Sequence, residues 1–308
     1  MQHNLSWNHG YTLGFLVALV GCTAGDAFYK STLEVPPGGI ASSSLDEFVR
    51  IRGSLSPSDD VYFYFRGEIF AAELPNEGTS TARRFRKPLL YLEGVNVARF
   101  IPTENGFRML SREVAYYLDA EGEIVDCLTL DWRDEPVRVL HIANDPVNFT
   151  LSAPASHLLG AMKVYVVNAS VDYPSPLGTR DDVDDYGGKT YQSTELFQFF
   201  ARRSDLAGSA PSVPAWLSWS RVGQPLPWMR SPLSDNRYLV YHTRGHKVLD
   251  GFEGLPRDLR QRIKTSHPKF THAPMSEVPG GRNQTSWSAF EQALRLDGYD
   301  ATCQKVAE

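Results

Sequence analysis

Hydrophobic and polar positions along most of this chain follow patterns that are typical of β-strands. The segment 61–74 (VYFYFRGEIFAAEL) is rich in aromatic and branched side chains and is predicted to be a strand. Segments 89–101 and 107–118 are predicted to be long antiparallel strands joined by a turn at 103–106. Closely spaced strands joined by hairpins predict an antiparallel meander. Further strands are predicted at 123–132, 137–143, 163–171 and 238–247.

A few segments have helical spacing instead. Segment 45–55 follows serines that can cap a helix, 255–264 and 286–297 are predicted helices, and 194–203 fits a helix or a strand. Strands and helices do not alternate as βαβ units, so a Rossmann-type nucleotide fold is not expected. We predict a single mainly β (α+β) domain over 45–308. It would form a curved antiparallel sheet or barrel-like meander with an internal pocket and a few peripheral helices.

The charge of the chain argues against nucleic acid as a partner. The formal net charge is −5, whereas binding to a phosphate backbone needs a concentrated basic face. The four aspartates of 181–188 do not have the spacing of an EF-hand loop and are interpreted as a solvated acidic loop. Neither a metal nor another cofactor is therefore expected.

The first residues carry an apolar run that is typical of a targeting segment. Residues 11–24 (YTLGFLVALVGCTA) have the length of a signal-peptide core and are too short for a stable membrane span. One interpretation is a signal peptide over 1–24, followed by a linker over 25–44. Another is a bacterial lipoprotein leader that ends before Cys22, and a third is a buried N-terminal helix. Signal peptides usually carry a Lys or Arg before the apolar run, and this chain has none there.

Other features favour the secretory pathway or the extracellular space, with the bacterial periplasm as the alternative. Asn148, Asn168 and Asn283 each begin a glycosylation acceptor triplet, which predicts a glycoprotein. Removal of the leader leaves Cys127 and Cys303, an even pair that favours a disulfide in an oxidising compartment. Two free buried thiols remain the alternative.

The most informative segment for function is 214–247, which combines wide apolar side chains with a few directional polar groups. Such mixtures line small-molecule pockets. Arg221, Tyr241 and His242 are the candidate catalytic residues. The same pattern also fits core aromatics with arginines at the surface. The candidate substrate-binding residues in this segment are Trp216, Trp219, Trp228 and Met229.

Two predicted strands place further polar groups beside this pocket. Strand alternation puts Glu113 and Tyr117 on one face of 111–119 and Tyr116 on the other. Asn96 and Tyr116 are taken as substrate-binding candidates. A Glu, an Asn, an Arg and tyrosines inside a sheet can move protons or hold a carbonyl oxygen. They can equally form a satisfied structural network.

Five segments carry a resemblance to a known family. They are YLEGVNVARF (91–100), SREVAYYLDAEGEI (111–124), HIANDPVN (141–148), SWSRVGQPLPWM (218–229) and LVYHTRGHK (239–247). Together they resemble the uncharacterised family known as domain of unknown function 1838, over roughly residues 45 to 297. Its members usually carry an Asn-Pro-Trp-Thr-like segment after the second hairpin, where this chain has LDWRDE (130–135). The resemblance implies a single domain and assigns no catalytic roles.

Two functions fit these observations. The first is a cofactor-independent enzyme for a hydrophobic small molecule, of cyclase, dehydratase or isomerase type. In general layout (leader, acceptor triplets, β-rich pocket) the chain is similar to secreted-pathway hetero-Diels–Alderases of fungal secondary metabolism. The second is a non-catalytic secreted carrier for a lipophilic ligand.

Overall fold

The computed structural model describes residues 45–73, 87–278, 281–296, 299 and 303. The predicted leader, Cys22 and the linker over 25–44 lie outside the described residues. The helices are α1 (Leu45–Arg52), α2 (Arg203–Ala207), α3 (Arg257–Ser266) and α4 (Ser286–Leu296), with 3₁₀ turns at 183–186, 227–229, 233–235, 251–254 and 268–271. The strands are β1 (Val61–Glu73), β2 (Leu90–Thr103), β3 (Gly106–Leu118), β4 (Cys127–Leu128), β5 (Val137–Arg138), β6 (Ile142–Asn144), β7 (Phe149–Leu151), β8 (Ala155–Leu159), β9 (Met162–Pro174), β10 (Thr190–Arg202), β11 (Trp216–Gly223) and β12 (Arg237–Val248).

Ten of these strands form one antiparallel sheet. Their order is β6-β3-β2-β1-β12-β11-β10-β9-β8, with β7 also paired to β3. The sheet therefore consists of two meanders, β1 to β3 and β8 to β12, which are joined by the pairing of β1 with β12. Over the described residues it stays open between its two edges. The predicted mainly β, curved antiparallel fold is confirmed, and the sheet does not close into a barrel.

Glycines in the central strands let the backbones approach closely on one face. A Cβ added to Gly67 would lie 2.3 Å from the carbonyl oxygen of His242. One added to Gly94 would lie 2.4 Å from the Cβ of Ala115. Glycine inside a strand marks such close approaches and bends. We call this the cavity face. Its side chains include Phe63, Phe65, Asn96, Glu113, Tyr117, Phe197, Trp219, Arg221 and Tyr241.

Helices cover both faces of the sheet. On the opposite face, α3 and the turn at 268–271 bury an apolar layer that includes Leu259, Ile263 and Phe270. On the cavity face, α1 covers one end and α4 another. Acidic residues in the first turn of α1 and basic residues in its last turn complement the helix dipole. In α1, Phe48 packs 5.6 Å from Phe199, measured between ring centroids.

A disulfide joins the end of the chain to β4. The sulfurs of Cys127 and Cys303 are 1.99 Å apart, so the pairing expected from the sequence is present in the structure. Cys303 is thereby tied to β4.

Two of the three predicted glycosylation sites occupy positions that a glycan does not fit. Asn148 is 5% exposed, and its backbone NH donates to Oδ1 of Asn283 at 2.7 Å. In return, Nδ2 of Asn283 donates to the carbonyl of Asn148 at 2.8 Å. A sugar on either side-chain nitrogen conflicts with this reciprocal pair or with burial. Asn168 is half-buried on the side of β9 that is opposite to the cavity face, and its glycosylation stays a prediction.

Within the described residues, no helix combines the length and the hydropathy needed to cross a membrane. The same part of the chain contains no group of three or more His, Cys, Asp or Glu side chains placed to hold a metal ion.

Candidate active site

A cavity of about 320 Å³ lies between the cavity face, α1 and two further segments, 147–154 around β7 and 283–287 at the start of α4. Its size is at the lower end of the range for small-molecule sites. Most of its wall is apolar and comes from several strands and from α1. The main apolar contributors are Phe48, Phe63, Phe65, Phe197, Phe199, Leu217 and Trp219.

The polar groups of the cavity come from strands that are distant along the sheet. Glu113 is on β3 and Glu195 is on β10, which is five positions away in the strand order. In a flat sheet this separation would be about 24 Å, at ~4.8 Å per strand. Yet both carboxyl groups line the same cavity, and Glu195 is close enough to Glu113 to raise the pKa of Glu113. The curvature of the sheet therefore assembles this site.

Glu113 is the most chemically distinctive side chain in the cavity. Among the described residues, no hydrogen-bond or salt-bridge partner reaches its carboxyl group. Burial raises its pKa from 4.5 to about 7, with a further increase from Glu195, partly offset by Arg52 and Arg221. At neutral pH the group is therefore present in both its protonated and its ionised form. This is the condition under which a carboxyl can serve as a general acid and as a general base.

Arg52 lies at the end of α1, opposite Glu113. Its Nη2 donates to Oδ1 of Asn96 at 2.6 Å, and its guanidinium lies 5.0 Å from the ring centroid of Phe63. The other terminal nitrogen, Nη1, is buried and has no partner among the described residues. Burial lowers the pKa of Arg52 to about 10, and Glu113 partly opposes that effect. The side chain remains a cation with one unused donor group.

Arg221, by contrast, is held from several sides. It donates to the hydroxyl of Tyr191, lies 3.8 Å from the carboxylate of Glu195, and sits 4.8 Å from the ring centroid of Tyr241. Burial alone would lower its pKa, but Tyr191, Tyr241 and Glu195 together hold it well above the ordinary value. Burial also raises the pKa of Glu195, and Arg221 opposes that rise. The result is a charged pair enclosed by aromatic rings.

Three further donors in the cavity wall make no hydrogen bond of normal geometry within the described part of the chain. They are the hydroxyls of Tyr117 and Tyr241 and the indole NH of Trp219. Burial raises the pKa of both tyrosines, and the two hydroxyls are close enough to influence each other. The indole of Trp219 is close enough to Glu195 to lower the pKa of that carboxyl. Buried polar groups nearly always make a hydrogen bond of normal geometry, so these three donors call for an explanation.

Four of the residues selected from the sequence meet in this cavity: Arg221, Tyr241, Trp219 and Asn96. Trp228 and Met229 do not line it. They are 1% and 0% exposed, and the ring of Trp228 packs 5.6 Å from that of Tyr117 in the core. Aromatic character alone does not separate a core residue from a pocket residue.

Three other selected residues lie on the opposite face, and strand alternation explains each case. Trp216 is three positions from Trp219, is 38% exposed, and lies beneath the guanidinium of Arg202. His242 follows Tyr241 directly and is exposed to solvent. Tyr116 precedes Tyr117, and its hydroxyl lies 2.9 Å from Nδ1 of His267. These residues are therefore not part of the candidate site.

The sequence interpretation missed Arg52 and Glu195, although each carried a usable signal. Arg52 follows Phe48 by four positions, which places both on the same side of a helix. Glu195 alternates with Phe197 and Phe199 in a segment that fitted either a helix or a strand. Assigning that segment as a strand would have put Glu195 on an apolar face.

A sequence model of one protein family, described as "Protein of unknown function (DUF1838)", matches residues 58–294. This range covers most of the chain and includes all twelve strands. No curated protein matches the chain.

Proposed function

The chain belongs to the DUF1838 family, and from its cavity we propose that it is an enzyme that moves protons on a hydrophobic small molecule using its own side chains. The reaction class is isomerisation, dehydration or cyclisation. The single observation that carries this proposal is the Glu113 carboxyl, which lines the cavity without a partner among the described residues and has a pKa raised to about 7.

Each part of the cavity has a role in such a reaction. Glu113 accepts a proton in its ionised form and returns it in its protonated form. The hydroxyls of Tyr117 and Tyr241 lie close to each other without a hydrogen bond of normal geometry, and they can stabilise negative charge developing on a substrate oxygen. Arg221 keeps the ring of Tyr241 in place at 4.8 Å and adds positive potential. The aromatic walls orient the substrate, which itself lowers the barrier.

Cyclisation of a pericyclic type, as in a hetero-Diels–Alder reaction, is a second candidate reaction for the same cavity, and it transfers no proton. Such reactions need a shaped apolar cavity and hydrogen-bond donors aimed at an oxygen, and they need no covalent intermediate. The cavity offers both features, with Trp219 and Phe197 stacked at 5.9 Å on one wall.

A carrier for a lipophilic ligand uses the same apolar walls, but Glu113 favours the enzyme. A carboxyl that is buried without a partner lowers the stability of the folded protein when it ionises. A carrier gains nothing from that cost, whereas a general acid–base requires a pKa near the working pH.

The test compares the natural protein with Glu113→Gln and with the control Glu121→Gln, whose side chain is exposed in a turn. Each is incubated with a small-molecule extract of the producing cells, and products are followed by liquid chromatography and mass spectrometry. We expect natural protein and control to convert one compound into an isomer, a dehydrated product or a cyclised product. Glu113→Gln should lower the rate by about 100-fold or more.

Two outcomes would contradict the proposal. Full conversion by Glu113→Gln would remove the acid–base role. Retention and release of one compound unchanged by all three proteins would instead identify a carrier.

We also propose that the protein is exported and that its leader is removed. The Cys127–Cys303 disulfide supports this, because such bonds persist mainly in oxidising compartments. The mass of the protein from a secretory host provides the test. A mature chain that begins near Gly25 is expected, and a secreted chain that keeps residues 1–24 would contradict it.

A further inference from the structure

We propose that the ligand of this cavity is a hydrophobic acid whose single carboxylate pairs with Arg52. The inference deepens the proposed function, because it names the substrate class for the same cavity. Its evidence is the position of one guanidinium, and its test can fail while the acid–base role of Glu113 stands.

The first step is the unused donor of Arg52. One terminal nitrogen is bound to Asn96, and the other is buried with no partner among the described residues. The Arg52 side chain as a whole lines the cavity. A guanidinium presents its donors as a flat fork that matches the two oxygens of a carboxylate. The bond to Asn96 and the contact with Phe63 fix the plane of this fork before any ligand arrives.

The second step is the balance of charge. The cavity wall contains two cations and two carboxyl groups, and Arg221 is already matched by Glu195 at 3.8 Å. That leaves Arg52 facing Glu113, which makes no salt bridge and is largely protonated below its pKa of about 7. With Glu113 protonated, the site carries one uncompensated positive charge. A ligand with one negative charge completes it.

The third step excludes other polar ligands. A neutral hydroxyl or amide would leave the charge of Arg52 uncompensated in a buried site, which is costly. An amine would add a second positive charge beside Arg52, and ionised Glu113 could offset only one of the two. A carboxylate gains charge-assisted hydrogen bonds, which are about twice as strong as neutral ones.

The fourth step is a linkage that gives an independent readout. A bound carboxylate near Glu113 favours its protonated form and so raises its pKa further. Binding at a pH just above 7 must therefore be accompanied by proton uptake. The charged and titratable groups that also act on Glu113 or share its cavity wall are, among the described residues, Arg52 from α1, Tyr117 from β3, Tyr173 from β9, Tyr191 and Glu195 from β10, Arg221 from β11 and Tyr241 from β12.

The experiment measures the binding of 1-naphthoate and of the neutral 1-naphthamide by calorimetry at pH 7.5, in two buffers with different ionisation enthalpies. Octanoate and octanamide serve as a second, flexible pair. We expect each acid to bind at least about tenfold more tightly than its amide, with net proton uptake. Glu113→Gln should abolish the uptake and leave the preference for the acid.

Variants of Arg52 locate the effect. Arg52→Gln should reduce the affinity for the acids to that for the amides, and Arg52→Lys should restore part of it, since the charge returns without the fork. Arg244→Gln, which removes an exposed arginine from the opposite face of β12, is the control and should change nothing. Thermal unfolding of each variant checks that the domain is intact.

Equal affinity for acid and amide, an unchanged preference in a folded Arg52→Gln, or binding of neither acid would overturn the inference. These results are separable from failure of the proposed function. Loss of turnover in Glu113→Gln without any acid preference would support the acid–base enzyme and rule out a hydrophobic acid as its ligand. A clear acid preference with full turnover in Glu113→Gln would support the acid ligand and rule out the acid–base role of Glu113.

Discussion

Two ionisable side chains in one row of the sheet have opposite surroundings. In the strand register, Lys247 pairs with Phe63, Phe63 with Asn96, and Asn96 with Glu113. Lys247 is 5% exposed, and its Nζ donates to the carbonyls of Arg50 and Gly53 at 2.7 and 2.8 Å. It also donates to Oγ of Ser212 at 3.0 Å. Glu113, three strands away in the same row, has no hydrogen-bond or salt-bridge partner among the described residues.

The difference separates groups that hold the fold from groups that face a ligand. Lys247 ties the end of α1 to the sheet, and all three of its donors are used. A buried charge with a complete set of partners needs no further explanation, whereas one without partners does. Two tryptophans show the same difference between a structural residue and a cavity residue. Trp228 is enclosed by core residues, whereas Trp219 lines the cavity.

The largest expected effect concerns this pair of tryptophans. Trp228→Ala should lower the free energy of unfolding by about 3–5 kcal/mol, because it leaves a large void in the packed core. Trp219→Ala should cost less, because its ring already borders an open cavity. Urea unfolding of both variants measures the two values. Equal losses would contradict the assignment of one residue to the core and the other to the cavity.

The next effect is expected at Lys247. Lys247→Met keeps the length of the side chain but leaves the acceptors at the end of α1 without their shared donor. The free energy of unfolding should fall by about 2–4 kcal/mol. Lys189→Met removes an exposed lysine and is the matched control. Urea unfolding at neutral pH checks both, and a loss for Lys247→Met no greater than that of the control would contradict a structural role.

Glu113→Gln should change stability in the opposite direction. A carboxyl whose pKa is 4.5 when unfolded and about 7 when folded binds more protons in the folded state between these values. Stability is therefore lost as the pH rises through this window, up to about 3 kcal/mol above it. Glu113→Gln removes this loss, so the variant should be more stable than the natural protein at pH 8 and similar to it at pH 4.5.

Unfolding of Glu113→Gln and of the control Glu121→Gln across this pH range tests the sign as well as the size. A variant that is less stable than the natural protein at pH 8 would mean that Glu113 has a stabilising partner and, like Lys247, has a structural role.

Sequence patterns predicted the long strands β1, β2, β3, β9 and β12 but not β7, β8 or β11, and the strand predicted over 123–132 is only the two-residue β4. Aromatic and branched content identified β1, a hairpin pattern identified β2 and β3, and strand alternation placed Glu113 and Tyr117 on one face. The pairing of β1 with β12 joins residues more than 160 positions apart, and no local signal encodes it. The approach of β10 to β3 depends on the bending of the whole sheet. The meeting of Glu113, Glu195 and Arg52 could therefore not be predicted from the sequence. Strand alternation alone could have shown that Trp216, His242 and Tyr116 do not lie on the cavity face.

The smallest expected effect on stability distinguishes two buried tyrosines. Tyr62 donates to the carbonyl of Thr271 at 2.6 Å, so Tyr62→Phe should cost about 1 kcal/mol. Tyr241 makes no hydrogen bond of normal geometry through its hydroxyl within the described residues, so Tyr241→Phe should change the free energy of unfolding by less than about 0.5 kcal/mol. Turnover should nevertheless fall by about 100-fold in Tyr241→Phe and remain unchanged in Tyr62→Phe, if the free hydroxyl serves the substrate. Parallel urea unfolding and rate measurements on the two variants make the check. A Tyr241→Phe protein that loses stability but keeps its activity would place Tyr241 among the groups that hold the fold.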